Sequence, residues 1–241
     1  MVNYTEKLKM VLGDIDKLIS TPESIRNFIL DGISNINCSA LSNTEKRKLE
    51  NLLMSLSNIS DGTFAKQFKI IYNQACTLAV SSLEAILEEM FCNYAMSHMR
   101  EMQFPTDFKI SIKELVQEYN FEFKSSIARI ILAKDNSINF QDLKSTVRTF
   151  RQYLDVDIKL PSEDTKCVIF YQQCRHLLLH KNGIVDDEFV RRVDTHNVRK
   201  YKKGDQVCLD GSDWSNIKLS FCSLVQNTSG KFVPRADKSK K

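Results

Sequence analysis

Arg175, His176 and His180 are the residues whose types and spacing are best suited to chemistry in this chain. A guanidinium stays charged and grips a phosphate through a bidentate fork, and an imidazole titrates near neutral pH, so it can both take and give a proton. Cleaving RNA without a metal requires these groups: a base for the ribose 2′-hydroxyl, an acid for the leaving 5′-oxygen, and positive charge beside the phosphorane-like transition state. One copy of the set is too few. A two-fold dimer of the helix that carries them would place two Arg175 and two His180 in one cleft. Plainer roles stand beside this one, with Arg175 as an anchor for a helix end and His180 as a satisfied interface histidine. The His176/His180 spacing also suits a metal, but no third ligand is evident.

The run 167–189 reads as a buried helix, a stop and a new helix. At 100° per residue, Cys167, Phe170, Tyr171, Cys174, Leu177 and Leu178 form one apolar stripe for the interior. Arg175, His176 and His180 fall in a sector of about 140° on the other side, shared with Val168, Ile169 and Leu179. That mixture is a poor solvent surface, so a second subunit or another element is expected to cover it, holding His180 away from loose exposure. Gly183 suits the left-handed position that ends a helix, and Lys181 sits at the negative end of its dipole. Asp186 is the expected N-cap of the next helix, Asp187 and Glu188 load its first turn, and Val185 with Val190 has the spacing of a hydrophobic staple.

Arg175, a polar residue at 176, three apolar residues and His180 reproduce the R-(N/D/H)-x3-H signature of HEPN domains. The continuation Lys-Asn-Gly-Ile-Val-Asp-Asp-Glu-Phe resembles the RiboL-PSP-HEPN branch. The likeness runs from about Phe64 to Val225, where a Gly-Asp-Gln-Val-Cys-Leu segment resembles the family's usual ending. It implies a helical bundle, a composite site across a homodimer, and His176 shaping that site or hydrogen-bonding the phosphate. Some members add an acidic residue from the preceding long helix, which makes Glu84 a supporting candidate able to hold Arg175 or a histidine. The plain alternative for Glu84 and Glu88 is a pair of solvated carboxylates.

Composition fits this setting. The chain has 241 residues with 7 glycines and 4 prolines, few for a turn-rich β fold. Seven cysteines show no CxxC pair and no zinc spacing, and neither an apolar leader nor an uninterrupted apolar run for a bilayer is evident, so the expected setting is cytoplasmic with no membrane. The net charge of +4 is uneven: 12 Lys and Arg face 5 Asp and Glu from Arg191 onward, leaving 22 against 25 before it. Arg191, Arg192, Lys200, Lys202 and Lys203 are therefore the candidate RNA-binding cations.

Along the chain, amphipathic helices are expected at 3–19, 22–36 and 43–59, with Thr21-Pro22 opening the second and a Ser42/Glu45 capping box opening the third. Leu49, Leu52, Leu53 and Leu56 would be the third helix's buried stripe. After a break at Asp61-Gly62 comes the longest periodic stretch, 64–102, through Phe68, Ala75, Ala79, Leu83, Ile86, Met90 and Phe91. Its small residues allow close approach of the Arg175 helix, and Phe104-Pro105 is expected to close it. A Ser111/Glu114 capping box, helices at 121–133 and 141–154, with Arg148 and Arg151 as either ordinary surface charges or an extension of the basic surface toward RNA, and Ser162 as cap of the key helix follow. Residues 200–210 read as extended around a Gly204-Asp205 turn with a short strand at 207–209, before a last helix carrying Trp214, Ile217, Phe221, Leu224 and Val225.

The expected architecture is an all-α, HEPN-like helical bundle: an N-terminal helical extension over 1–60, a helical domain over 61–228 with a short C-terminal extended segment plus helix, and a basic disordered tail over 229–241. The expected activity is that of a metal-independent endoribonuclease, toxin-like or defence-associated, with no cofactor. Its expected partners are RNA, a second copy of the chain and a cognate antitoxin such as a nucleotidyltransferase. The alternatives are a catalytically silent HEPN module binding RNA, nucleotide or protein, and a purely structural helical dimer.

Overall fold

The computed structural model describes residues 2–34, 41–60, 63–106, 108–193 and 200–232. The break at Asp61-Gly62 and the tail beyond residue 232 lie outside the described residues. The helices are α1 Tyr4–Ser34, α2 Asn43–Ser60, α3 Thr63–Ser97, α4 Ile112–Gln117, α5 Phe123–Lys134, α6 Leu143–Leu154, α7 Ser162–His180, α8 Asp187–Val193 and α9 Gly211–Ser229. The described residues contain no β-strand, and the fold is all-α.

Helix α3 is the axis because its apolar residues recur on more than one face. Ala75, Ala79, Leu83, Leu87, Met90 and Phe91 are all buried, and α1, α5, α7 and α9 pack around it. Each large side chain so buried contributes roughly 1.5–3 kcal/mol from desolvation. The small residues admit α7 closely enough for the Cys76 thiol to reach the Tyr171 carbonyl at 3.8 Å. Ile70–Ser97 is long and apolar enough to cross a membrane by length and composition. Its carboxylates interrupt the run without lowering the mean below that level. The helix also ends earlier than Phe104-Pro105: His98 leaves helical geometry (φ −119°, ψ 27°) and a 3-10 turn follows at Met99–Glu101.

Two expected N-terminal helices are one. α1 runs through Thr21 and Pro22, since a proline removes only the single N–H that would reach one turn back. The Thr21 hydroxyl turns back to donate to the Lys17 carbonyl at 2.7 Å and so does not cap a new helix. Tyr4, Leu8, Leu12 and Ile15 of α1 are buried in the common core. Asp16 accepts from Trp214 Nε1 at 2.6 Å, tying α1 to α9.

The Ser42/Glu45 capping box forms as expected, with Ser42 N donating to Glu45 at 2.9 Å. The expected burial of the α2 stripe does not hold: Leu52 and Leu53 are exposed and Leu49 is half-buried. The side chains of Leu56 and Phe68 lie outside the described residues. Periodicity decides which side chains share a face; it does not decide whether another element covers that face.

The Ser111/Glu114 box is complete. α5 starts at Phe123, after the expected 121, because Asn120 and Phe121 have φ of 49° and 59°. α7 begins with Ser162, with Pro161 at the N-cap position and no side-chain cap bond, so the expected Ser162 cap is corrected. The expected strand at 207–209 is reduced to a single bridge between Ile184 and Gln206, because beyond Val207 N the Asn73 side chain takes the place of a neighbouring strand. Asn73 Nδ2 donates to the Val207 carbonyl at 3.4 Å, and its Oδ1 accepts from Leu209 N at 3.2 Å.

Candidate functional site

The site residues ride on α7, buried all round from Val168 to Cys174. Val168 and Ile169 are covered by other elements of the same chain, whereas Leu179, in the same sector, is 49 % exposed. Cover of the mixed face therefore stops before the last turn of α7, where the candidate residues lie.

Helix α7 is stopped by two backbone bonds to the Leu177 carbonyl, from Lys181 N and Gly183 N, both 2.9 Å. Asn182 (φ 52°) and Gly183 (φ 73°) both occupy the left-handed region. A side chain at 183 would also meet Gln206, since an added Cβ would stand 2.5 Å from its Nε2. The chain then pairs briefly with 204–207: Val207 N donates to the Gly183 carbonyl at 2.8 Å and Val185 N to the Asp205 carbonyl at 2.9 Å. Asp186 Oδ1 accepts from Phe189 N at 2.9 Å, the expected N-cap of α8. The backbone beside His180 is thus fixed from both sides.

Arg175 turns toward α3. Its Nη1 lies 3.4 Å from Glu84 Oε1, with the two side chains 14 % and 13 % exposed. Burial pushes the Glu84 carboxyl above its ordinary value, and the Arg175 charge pulls it down only in part. Neither Arg175 Nε nor Glu84 Oε1 finds a hydrogen-bond partner among the described residues. Glu84 thus meets the arginine, one of the two partners proposed for it, and Glu88 is exposed.

His176 and His180 are both exposed, their ring centroids 5.0 Å apart and tilted by 50°. The expectation that the corner would keep His180 from exposure is corrected: the corner fixes the backbone and leaves the ring in solvent. No three His, Cys, Asp or Glu side chains cluster closely enough to hold a metal among the described residues.

The candidate RNA-binding cations surround this corner unevenly. Arg192 pairs with Glu188 at 2.8 Å and approaches Asp142 at 3.7 Å, and Lys203 pairs with Asp187 at 2.5 Å. Arg191, Lys200 and Lys202 are exposed. The acids that load the first turn of α8 therefore match part of the positive charge next to them.

Sequence reasoning missed the buried support behind the site. Tyr171, on α7, donates to Asp213 at 3.2 Å, and burial pushes its hydroxyl above the ordinary range. Asp213 belongs to a capping box with Asp210 that opens α9. The Asp-x-x-Asp spacing was the available signal.

The class that fold and site define is an all-α bundle with an Arg-His-x3-His turn at the end of a buried helix. Compared with protein-family models, with curated proteins and with solved structures, the chain matches none.

Proposed function

We propose that the protein is a HEPN-type endoribonuclease that cleaves RNA by attack of the ribose 2′-hydroxyl in a cleft shared by two copies. The observation that carries this reading is the end of α7, where two exposed imidazoles, one and five residues beyond a fixed guanidinium, stand 5.0 Å apart. In a two-fold pair each copy supplies one Arg175 and one His180. One imidazole takes the 2′-proton, the other protonates the leaving 5′-oxygen, and the guanidinium meets the charge developing on phosphorus. His176, one turn from His180, orients the phosphate. Arg191, Arg192, Lys200, Lys202 and Lys203 attract the RNA backbone. A cytoplasmic toxin or defence role, with an antitoxin such as a nucleotidyltransferase as restraint, fits an enzyme of this kind.

The test is incubation of purified protein with RNA in EDTA. Cleavage leaving a 2′,3′-cyclic phosphate is expected, lost by a factor on the order of 10² to 10³ in Arg175→Ala and in His180→Ala. Binding without cleavage at any protein concentration would falsify it. One observation favours a second reading, a catalytically silent module of the same family that binds RNA, nucleotide or protein: the Arg175 charge is already matched by Glu84.

A further inference from the structure

A groove of about 1140 Å³ lies along α6, the first half of α7 and the segment 103–105. Its lining carries Lys144, Arg148, Arg151 and Lys159 with the one carboxylate of Asp155, and Lys159 also pairs with Asp157 at 3.3 Å. All four cations are exposed. Lys144, Arg148 and Arg151 follow the i, i+4, i+7 spacing, which puts them within about 60° of one another and along about 10 Å of one face of α6. Arg148 is held in place by donating to the Ser137 carbonyl at 2.6 Å.

The floor has a different character. Leu143, Ile158 and Ile169 are buried beneath it, and Phe104 stands 38 % exposed in its wall. That ring is steadied by Phe108 and Tyr153, with centroids 5.1 and 6.5 Å away. A cationic rim over an apolar, aromatic floor suits a strand whose phosphates follow the rim while its bases lie inside. An acidic peptide would satisfy the rim and leave the floor unused.

The groove and the histidines lie along the same face of α7. Thr165 and Ile169, which line it, share with Gln172, His176 and His180 a sector of α7 about 80° wide. From Ile169 to His180 the helix rises roughly 16 Å. Between the groove and the histidines that face is covered at Gln172, which is buried and whose Oε1 accepts from Leu143 N at the start of α6, so a bound strand would have to pass over this contact.

We propose that this groove is a binding track for single-stranded RNA, feeding the His176/His180 end of α7. The inference rests on the ribonuclease reading for its direction but can fail separately from it. Binding of a fluorescent single-stranded oligoribonucleotide is measured by anisotropy across salt concentrations, using the full chain with His180→Ala so that the probe stays intact. Adding Lys144→Ala and Arg151→Ala is expected to weaken binding tenfold or more. It should also flatten the slope of log K against log salt by about 1.4, two phosphate contacts at about 0.7 each. Phe104→Ala should weaken binding about fivefold or more, with little change in slope. Unchanged circular dichroism shows that the variants fold.

If affinity and slope are unchanged in the double variant, or a polyglutamate peptide competes as well as RNA, the track is wrong. If the His180 protein retains groove-dependent binding but the parent never cleaves, the track stands and the nuclease reading falls. If the parent cleaves, and Lys144→Ala with Arg151→Ala made in the parent, with His180 intact, cleaves equally well at limiting RNA, the nuclease reading stands and the track falls.

Discussion

At the scale of single residues, Arg175 and Glu84 decide each other's state. Each is mostly withdrawn from water, and the carboxyl is held above its ordinary value by burial in spite of the guanidinium beside it. Truncating the acid leaves a positive charge in a site shaped for a pair, which costs more than the pair itself contributes. Glu84→Ala should therefore lower stability by about 1–3 kcal/mol, and Glu84→Gln, which keeps a hydrogen-bonding group in place, by less. Urea unfolding of the three proteins decides the matter; an alanine variant as stable as the parent would mean that Arg175 finds solvent without cost. The Arg-His-x3-His spacing was legible in the sequence because it is local. Glu84 was expected, from the family resemblance, to hold Arg175 or a histidine, and it meets the arginine; that both imidazoles stay in solvent was not legible, since exposure at the end of α7 depends on where cover by other helices stops.

At the scale of elements, the short helix α4 depends on its cap. Glu114 accepts from Lys134 and from the Ser111 backbone and hydroxyl, and these bonds hold its carboxyl down at about 2. The folded value lies below the unfolded one of 4.5, so the contribution to stability is complete above pH 4.5 and is lost as the pH falls toward 2. Amide exchange in α4 should accelerate over that interval relative to α3, and Glu114→Gln should remove the difference; α4 protection independent of pH across the interval would contradict the cap's role. This capping box, the one at Ser42 and the N-cap at Asp186 were readable from sequence because a cap needs only its own turn. The continuity of α1 through Pro22 and the exposure of Leu52 and Leu53 were not. They turn on tertiary packing: buried Leu8, Leu12 and Ile15 hold α1 to the core, whereas among the described residues Leu52 and Leu53 of the α2 stripe have no comparable cover.

At the scale of the whole molecule, the proposed shared cleft needs a surface by which two copies meet. Leu179 falls between Arg175 and His176 around α7 by the 100° step, and Ile184 lies just beyond the corner; they are 49 % and 44 % exposed. Large apolar groups beside exposed imidazoles are what an isologous contact at this end would cover, and a charge placed there would meet its own copy across the axis. Leu179→Glu should thus be monomeric at concentrations where the parent sediments as a dimer. Because the side chain is half in solvent, thermal unfolding of the monomer should barely move. RNA cleavage should fall by a factor on the order of 10², as expected when transition-state contacts from the second copy are lost. A Leu179→Glu protein that remains dimeric and active would place the interface elsewhere. A parent that stays monomeric at every concentration yet cleaves RNA would show that one copy of Arg175, His176 and His180 suffices.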